Sequence, residues 1–196
     1  LLRAANDGSA DAIAIGRALQ AGGVLNLRPG VLQPDGTVAD ATAMPVTLGG
    51  ASAAGFAVSG DEWALLSAPA ITVGSNRHGA PITVAGALAT PGSLNLQAEG
   101  AGGAIVLAAP LDARQLGLLA AGDISQTAGA ALHAASLLAG SAGGSVLLER
   151  AANAVDTVGG GAGGAFRYQD VDALRLGAAT ASGLADAAGG APYSVR

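Results

Sequence analysis

Apolar residues along this chain come in short bursts, each broken by a glycine, a proline or a charge before it is long enough for an ordinary helix. The stretch 102–132, GGAIVLAAPLDARQLGLLAAGDISQTAGAAL, holds five of them. From residue 71 onward the bursts recur steadily: ITVGS at 71, ITVAG at 82, LNLQA at 94, AIVLAA at 104, LGLLAA at 116, DISQTA at 123, SLLAGS at 136, SVLLER at 145, AVDTV at 154, FRYQD at 166 and LRLGA at 174. Every second burst forms a series. Starts at 71, 94, 116, 136, 154 and 174 are separated by 23, 22, 20, 18 and 20 residues, and the interleaved set at 82, 104, 123, 145 and 166 by 22, 19, 22 and 21.

A unit of about twenty residues with two to three strands is a repeat of solenoid type. Such a unit cannot bury its own apolar face. Stacked copies can, because each strand then pairs with its equivalent one coil away, about 4.8 Å distant, over one shared interior. The pattern therefore predicts an all-β fold, a parallel β-helix, with Ile82, Ile105, Ile124 and Val146 in line. Nine or so coils would make a rod of roughly 45 Å.

The first 70 residues keep the theme less regularly. Strand-like GGVLNLRPG, MPVTLGG and GFAVSGDEWALL start at 22, 44 and 55, and the insert at 31–43, VLQPDGTVADATA, reads as a turn or an excursion through its proline and Asp-Gly. The expected organisation is one β-helical domain over 1–196, looser over 1–70 and regular over 71–177.

Composition agrees with this geometry. The chain has 49 alanines and 32 glycines among 196 residues, which suit corners, while Val, Ile and Leu suit stacked strand positions. Gly102 with Gly103, and Gly143 with Gly144, precede strands at matching places and are expected where the chain bends sharply. Glycine every few residues costs about 1 kcal/mol each relative to alanine inside a helix, so a helical bundle is not expected. The uncharged run Ile124–Leu148 has a span-like length, but Gln126, His133 and interspersed serines and glycines divide it into pulses that read as strands. The opening LLRAANDGSADAIAIG has acids where a signal peptide has its apolar stretch, and the chain is expected to be a piece of something longer.

Several chemistries are closed. With no lysine there is no Schiff base or phosphate-loop lysine; with no cysteine there is no thiol nucleophile, disulfide or cysteine zinc site. A net charge of -5 with scattered arginines argues against a nucleic-acid partner.

The order LNLRPG, GFAVSGDEW, ITVGSNRHGAPITVAGAL, LNLQAEGAGGAIVLAAPLDARQLGLLAAGDISQTAGAAL and AGGSVLLERAANAVDTVGG resembles the shaft repeats of filamentous-haemagglutinin-like exoproteins of Gram-negative bacteria, the large partners of two-partner secretion systems. The resemblance spans most of the chain and is strongest from 71 to 177. It implies a right-handed β-helix, exported through a partner barrel in the outer membrane, secreted or held at the cell surface, with host or bacterial surface receptors as partners. Nothing in the chain matches the N-terminal secretion domain of such exoproteins.

Local motifs add no catalytic, cofactor or metal residue to this expectation. Gly159, Gly161 and Gly164 satisfy G-x-G-x-x-G, but a strand-like AFRYQD follows where a helix should, so the glycines read as a flexible corner between coils. His78, in a loop, and His133, on a strand or turn, lie more than two coils apart without metal-pair spacing. Asp170 and Asp172, beside Arg167 and Arg175, would share a strand face and read as solvated charges, as do Asp61 and Glu62 before Trp63. Asn153 is expected to close its own turn, and Phe56 and Phe166 to plug ends or corners of the core. The expected function is the non-catalytic shaft of a secreted adhesin. The alternatives are a subunit of a homopolymeric fibre joined end to end, and a glycan-active enzyme on the same scaffold.

Overall fold

The computed structural model describes residues 1–5, 13–51, 55–179 and 181–183. In chain order the elements are β1 (Leu2–Ala5), β2 (Leu19–Gln20), β3 (Val24–Leu32), β4 (Val38–Asp40), β5 (Val46–Leu48), β6 (Phe56–Val58), α1 (Gly60–Trp63) and β7 (Leu66–Ser67). There follow β8 (Ala70–Ser75), β9 (Ile82–Val84), β10 (Leu88–Ala98), β11 (Ile105–Leu107), β12 (Leu111–Ala120), β13 (Ile124–Gln126), β14 (Leu132–Ser141), β15 (Val146–Ala162), β16 (Phe166–Asp170) and β17 (Arg175–Leu176). Nearly all pairings are parallel, between strands one coil apart, and the whole is a β-solenoid of about 7 turns.

The two series of bursts are two faces of this solenoid. The first face stacks β1, β3, β8, β10, β12, β14, β15 and β17; the second stacks β6, β5, β9, β11, β13, β15 and β16. On the second face Ile82 pairs with Ile105, Ile105 with Ile124, and Ile124 with Val146, so the expected aliphatic line is continuous. It extends to Val46 and Phe56 at one end and Phe166 at the other. On the first face Leu25, Ile71, Leu94, Leu116, Leu137 and Val158 form the facing line, again in register. Both lines belong to one buried cluster.

A third face escaped the burst pattern. Leu88, Leu111 and Leu132 stack ahead of the first-face residues within the same strands, and the chain bends between the two faces at Pro91-Gly92 in one coil, opposite Arg114 in the next. Only one large apolar residue per coil marks this face, too weak a signal to read as a strand.

Corners carry the special backbone. Gly102 sits at φ +87°, in the left-handed region, and a Cβ on Gly103 would collide with the Ala98 carbonyl, so the second-face strand can follow the first closely only with glycine there. Gly143 and Gly144 occupy the matching corner, with φ outside that region.

The insert, expected as a turn or an excursion, is a hairpin: β4 returns antiparallel to β3, Gly30 opposite Asp40. On the second face β6 stacks outside β5, although it follows β5 in the chain. Two expectations need correction. The rod has about 7 turns rather than nine, or about 34 Å at the same spacing, because the first 70 residues spend chain on other things. The second correction is that GFAVSGDEWALL is not one strand. After β6 it makes the one-turn helix α1, begun by a capping box in which Ser59 Oγ accepts from the Glu62 N–H and Glu62 Oε2 accepts from the Ser59 N–H. Ser-x-x-Glu was the missed signal.

Candidate functional site

Chemically capable side chains gather at four places among the described residues.

The terminal coil holds the acids. Asp170 ends β16 and Asp172 lies in the bend beyond it, so they do not share a strand face as expected. Asp170 instead closes the bend: its carboxylate accepts from Tyr168 Oη at 2.6 Å, from the Val155 N–H at 3.1 Å and from the Asp172 N–H at 3.1 Å. Burial raises this carboxyl, but those donors outweigh it and hold Asp170 below the usual range. Asp172 is pushed up, first by its side-chain hydrogen bond to Asp170 and then by burial and like charge. Tyr168 is raised by burial and by Asp170. Arg167 does not join this group; it pairs with Glu149 on the preceding coil at 3.5 Å. Arg175, on β17, lines a shallow recess with Asp156 and Thr157.

His133 Nδ1 stands 4.0 Å from Asp112 Oδ2, its neighbour one coil away, with both side chains largely exposed. The spacing rules used on the sequence search within one strand and miss such a pair.

His78 lies at a turn, as expected, yet is buried. It borders a cavity of about 10 Å³ with Arg28, Asp40, Thr42 and Ser75, and its Nε2 has no hydrogen-bond partner. A space of that size holds about one water. Burial lowers the His78 pKa to about 4. Beside the cavity Asp40 is clamped between Arg3 Nε at 2.6 Å and Arg28 Nη1 at 3.2 Å, which ties the β3–β4 hairpin to β1.

The fourth place is inside the rod. Gln126 takes the position that Leu107 holds in the preceding coil, and Asn153 lies one residue before the pair His133–Ala154, at the rung of Leu132. Asn153 Oδ1 accepts from Gln126 Nε2 at 2.6 Å and from the Leu132 N–H at 3.1 Å, while its Nδ2 donates to the carbonyls of Leu148 and Gln169, each at 3.0 Å. Asn153, expected to close a turn, lies instead within β15, where it bonds back to the Leu148 carbonyl and ties together three coils.

The remaining candidates are structural. Gly159, Gly160 and Gly161 belong to β15 on the first face, and the corner begins only at Gly163, so the run is a strand end plus a turn rather than a flexible corner throughout. Glu62, expected to be a solvated charge, also accepts from the Ile15 N–H at 3.0 Å; burial raises its carboxyl, but the Ser59 and Ile15 donors outweigh that and lower it. Trp63 is buried and donates Nε1 to the Ala89 carbonyl at 3.1 Å. Phe56 is fully buried, whereas Phe166, at the other end of the same line, is 38% exposed. Among the described residues no group of three or more acidic or histidine side chains is placed to hold a metal ion, and no helix is long and apolar enough to cross a membrane.

Comparison of the chain with protein-family models, with curated proteins and with solved structures finds no match.

Proposed function

We propose that this chain is a structural module, a length of shaft from an extracellular adhesive filament, whose work is to be stiff and to present its faces and loops to a receptor. The observation that carries this reading is the unbroken line from Val46 through Ile82, Ile105, Ile124 and Val146 to Phe166. The buried Gln126–Asn153 pair supports it, since this polar group ties coil to coil. A stack built this way has a length set by the number of coils, which is what a shaft requires. The resemblance to haemagglutinin-like exoproteins adds the rest of the proposal: passage through an outer-membrane barrel, display at the surface of a Gram-negative cell, and surface receptors as partners.

Immunogold labelling of the producing cells tests it. Label on intact cells or in the medium, lost when the partner barrel is deleted, is the expected result; label confined to the cytoplasm would overturn the proposal.

A fibre of copies joined end to end draws on a separate observation. At the last described coil Phe166 and Leu176 are exposed, Leu176 to 76%, and continue interior lines with no further coil over them among the described residues. At the opposite end of the second-face line Phe56 is buried.

A further inference from the structure

The outward side of a solenoid face ordinarily meets water, yet on the first face the outward column Thr72, Asn95, Gly117, Leu138 and Gly159 is covered. Thr72 and Asn95 are fully buried, and Leu138 nearly so. What covers them is the chain after β17. Gly177–Ala179 and Ala181–Gly183 lie over the column. Thr72 Oγ1 donates to the Gly183 carbonyl and Asn95 Nδ2 to the Ser182 carbonyl at 2.8 Å, while the Ser182 N–H and Oγ donate to Gln115 Oε1 at 3.2 and 2.9 Å. Ala179 packs on Leu119 and Leu138, apart from the main core.

Small residues are required on both sides. A Cβ on Gly117 would come within 2.9 Å of the Ala181 Cβ, and one on Gly159 within 2.8 Å of the Ala179 nitrogen. Side chains, not strand edges, therefore read the backbone of the covering segment. The face has further capacity, because Asn95 Oδ1 and Gln97 Oε1 are buried there without a hydrogen-bond partner.

The covering segment leaves β17, two exposed residues paired with β15 alone, through Gly177, whose N–H donates to the Val158 carbonyl at 3.0 Å and around which a Cβ would meet nothing within 4 Å. We propose that this column is a docking groove for a small-residue segment, and that its occupant is the same segment, Gly177–Ala179 and Ala181–Gly183, of a second copy of the chain. Reciprocal exchange about a two-fold axis would bury in the dimer what is buried here within one copy, losing only the short β17 pairing at the hinge. The partner would lie side by side with this rod. The inference does not rest on the shaft reading.

The absence of cysteine makes the test clean. One batch carries Leu138→Cys and another Ala179→Cys; the two are mixed, concentrated and mildly oxidised. A disulfide-linked dimer containing one of each, increasing with concentration and suppressed by excess synthetic peptide of residues 177–183, is the expected result. No mixed dimer, with the double variant closing its disulfide within a single chain, would overturn the proposal. Light scattering on the unsubstituted chain guards against a folding defect: a dimer fraction that grows with concentration supports exchange, and a monomer at every concentration refutes it.

Discussion

Gln126 and Asn153 face each other across neighbouring coils in the interior of the rod, Nε2 to Oδ1 at 2.6 Å, where a stack of apolar side chains would otherwise continue. The two amides are not equivalent. Gln126 also donates to the Ala130 carbonyl, whereas Asn153 satisfies Leu132, Leu148 and Gln169 besides. Removing Asn153 leaves the buried Leu132 N–H and Leu148 carbonyl, and the part-buried Gln169 carbonyl, without this partner, and each buried group costs about 1–3 kcal/mol. Asn153→Leu should therefore destabilise by roughly 3 kcal/mol or more, and by clearly more than Gln126→Leu, whose new side chain can join Leu107. Chemical denaturation of both variants measures the difference. Equal losses would mean that the backbone contacts of Asn153 carry little.

The two ends of the second-face line differ in the same measurable way. Phe56→Ala empties a fully buried site and should cost about 3–5 kcal/mol. Phe166→Ala acts on a side chain already partly in water, with no coil beyond it among the described residues, and should cost about 1 kcal/mol or less. Thermal unfolding of the pair reports which end of the rod is closed.

These contrasts also show where the sequence was legible and where it was not. The spacing of the bursts located both main faces and the Ile82–Val146 line, because a solenoid repeats the same burial in every coil and a periodic cause leaves a periodic trace. The third face has a single apolar residue per coil, Leu88, Leu111 or Leu132, and that trace sank below notice. What is not periodic was harder still. The helix α1 was announced by four residues, Ser59 to Glu62, that the strand theme overrode. The pairing of His133 with Asp112 depends on the registration of two coils, and the cover over Asn95 on a segment 87 residues away. Long-range closure of this kind has no local pattern to announce it.

Within the glycine run the structure separates neighbours that the sequence could not. Gly160 lies at φ +144°, and a Cβ on it would collide with the Ala139 carbonyl of the next strand. Gly161 has open space around it. Gly160→Ala should cost about 3 kcal/mol or more, since both conformation and contact oppose it, while Gly161→Ala should stay within about 0.5 kcal/mol. Denaturation midpoints of the two alanine variants decide; similar midpoints would contradict the strand placement of this run.

His78 gives the fold a dependence on acidity whose sign follows from its burial. The imidazole is neutral in the folded chain down to about pH 4, whereas in the unfolded chain it takes up a proton near its ordinary value of 6.5. Between these values the unfolded state binds more protons, so stability falls as the pH drops from about 6.5 to about 4, and this contribution changes no further below that. The window corresponds to about 3 kcal/mol. The Arg28 and Asp40 side chains border the same cavity, where Asp40 is paired with Arg3 and Arg28. His78→Gln removes the titrating group and keeps a polar side chain at the cavity. Unfolding free energies measured from pH 7 to pH 4 should therefore decline less in the variant than in the unsubstituted chain, by about that amount. Parallel declines would show that the imidazole is solvated in the folded protein and that the turn at Asn76–Arg77 opens to admit water.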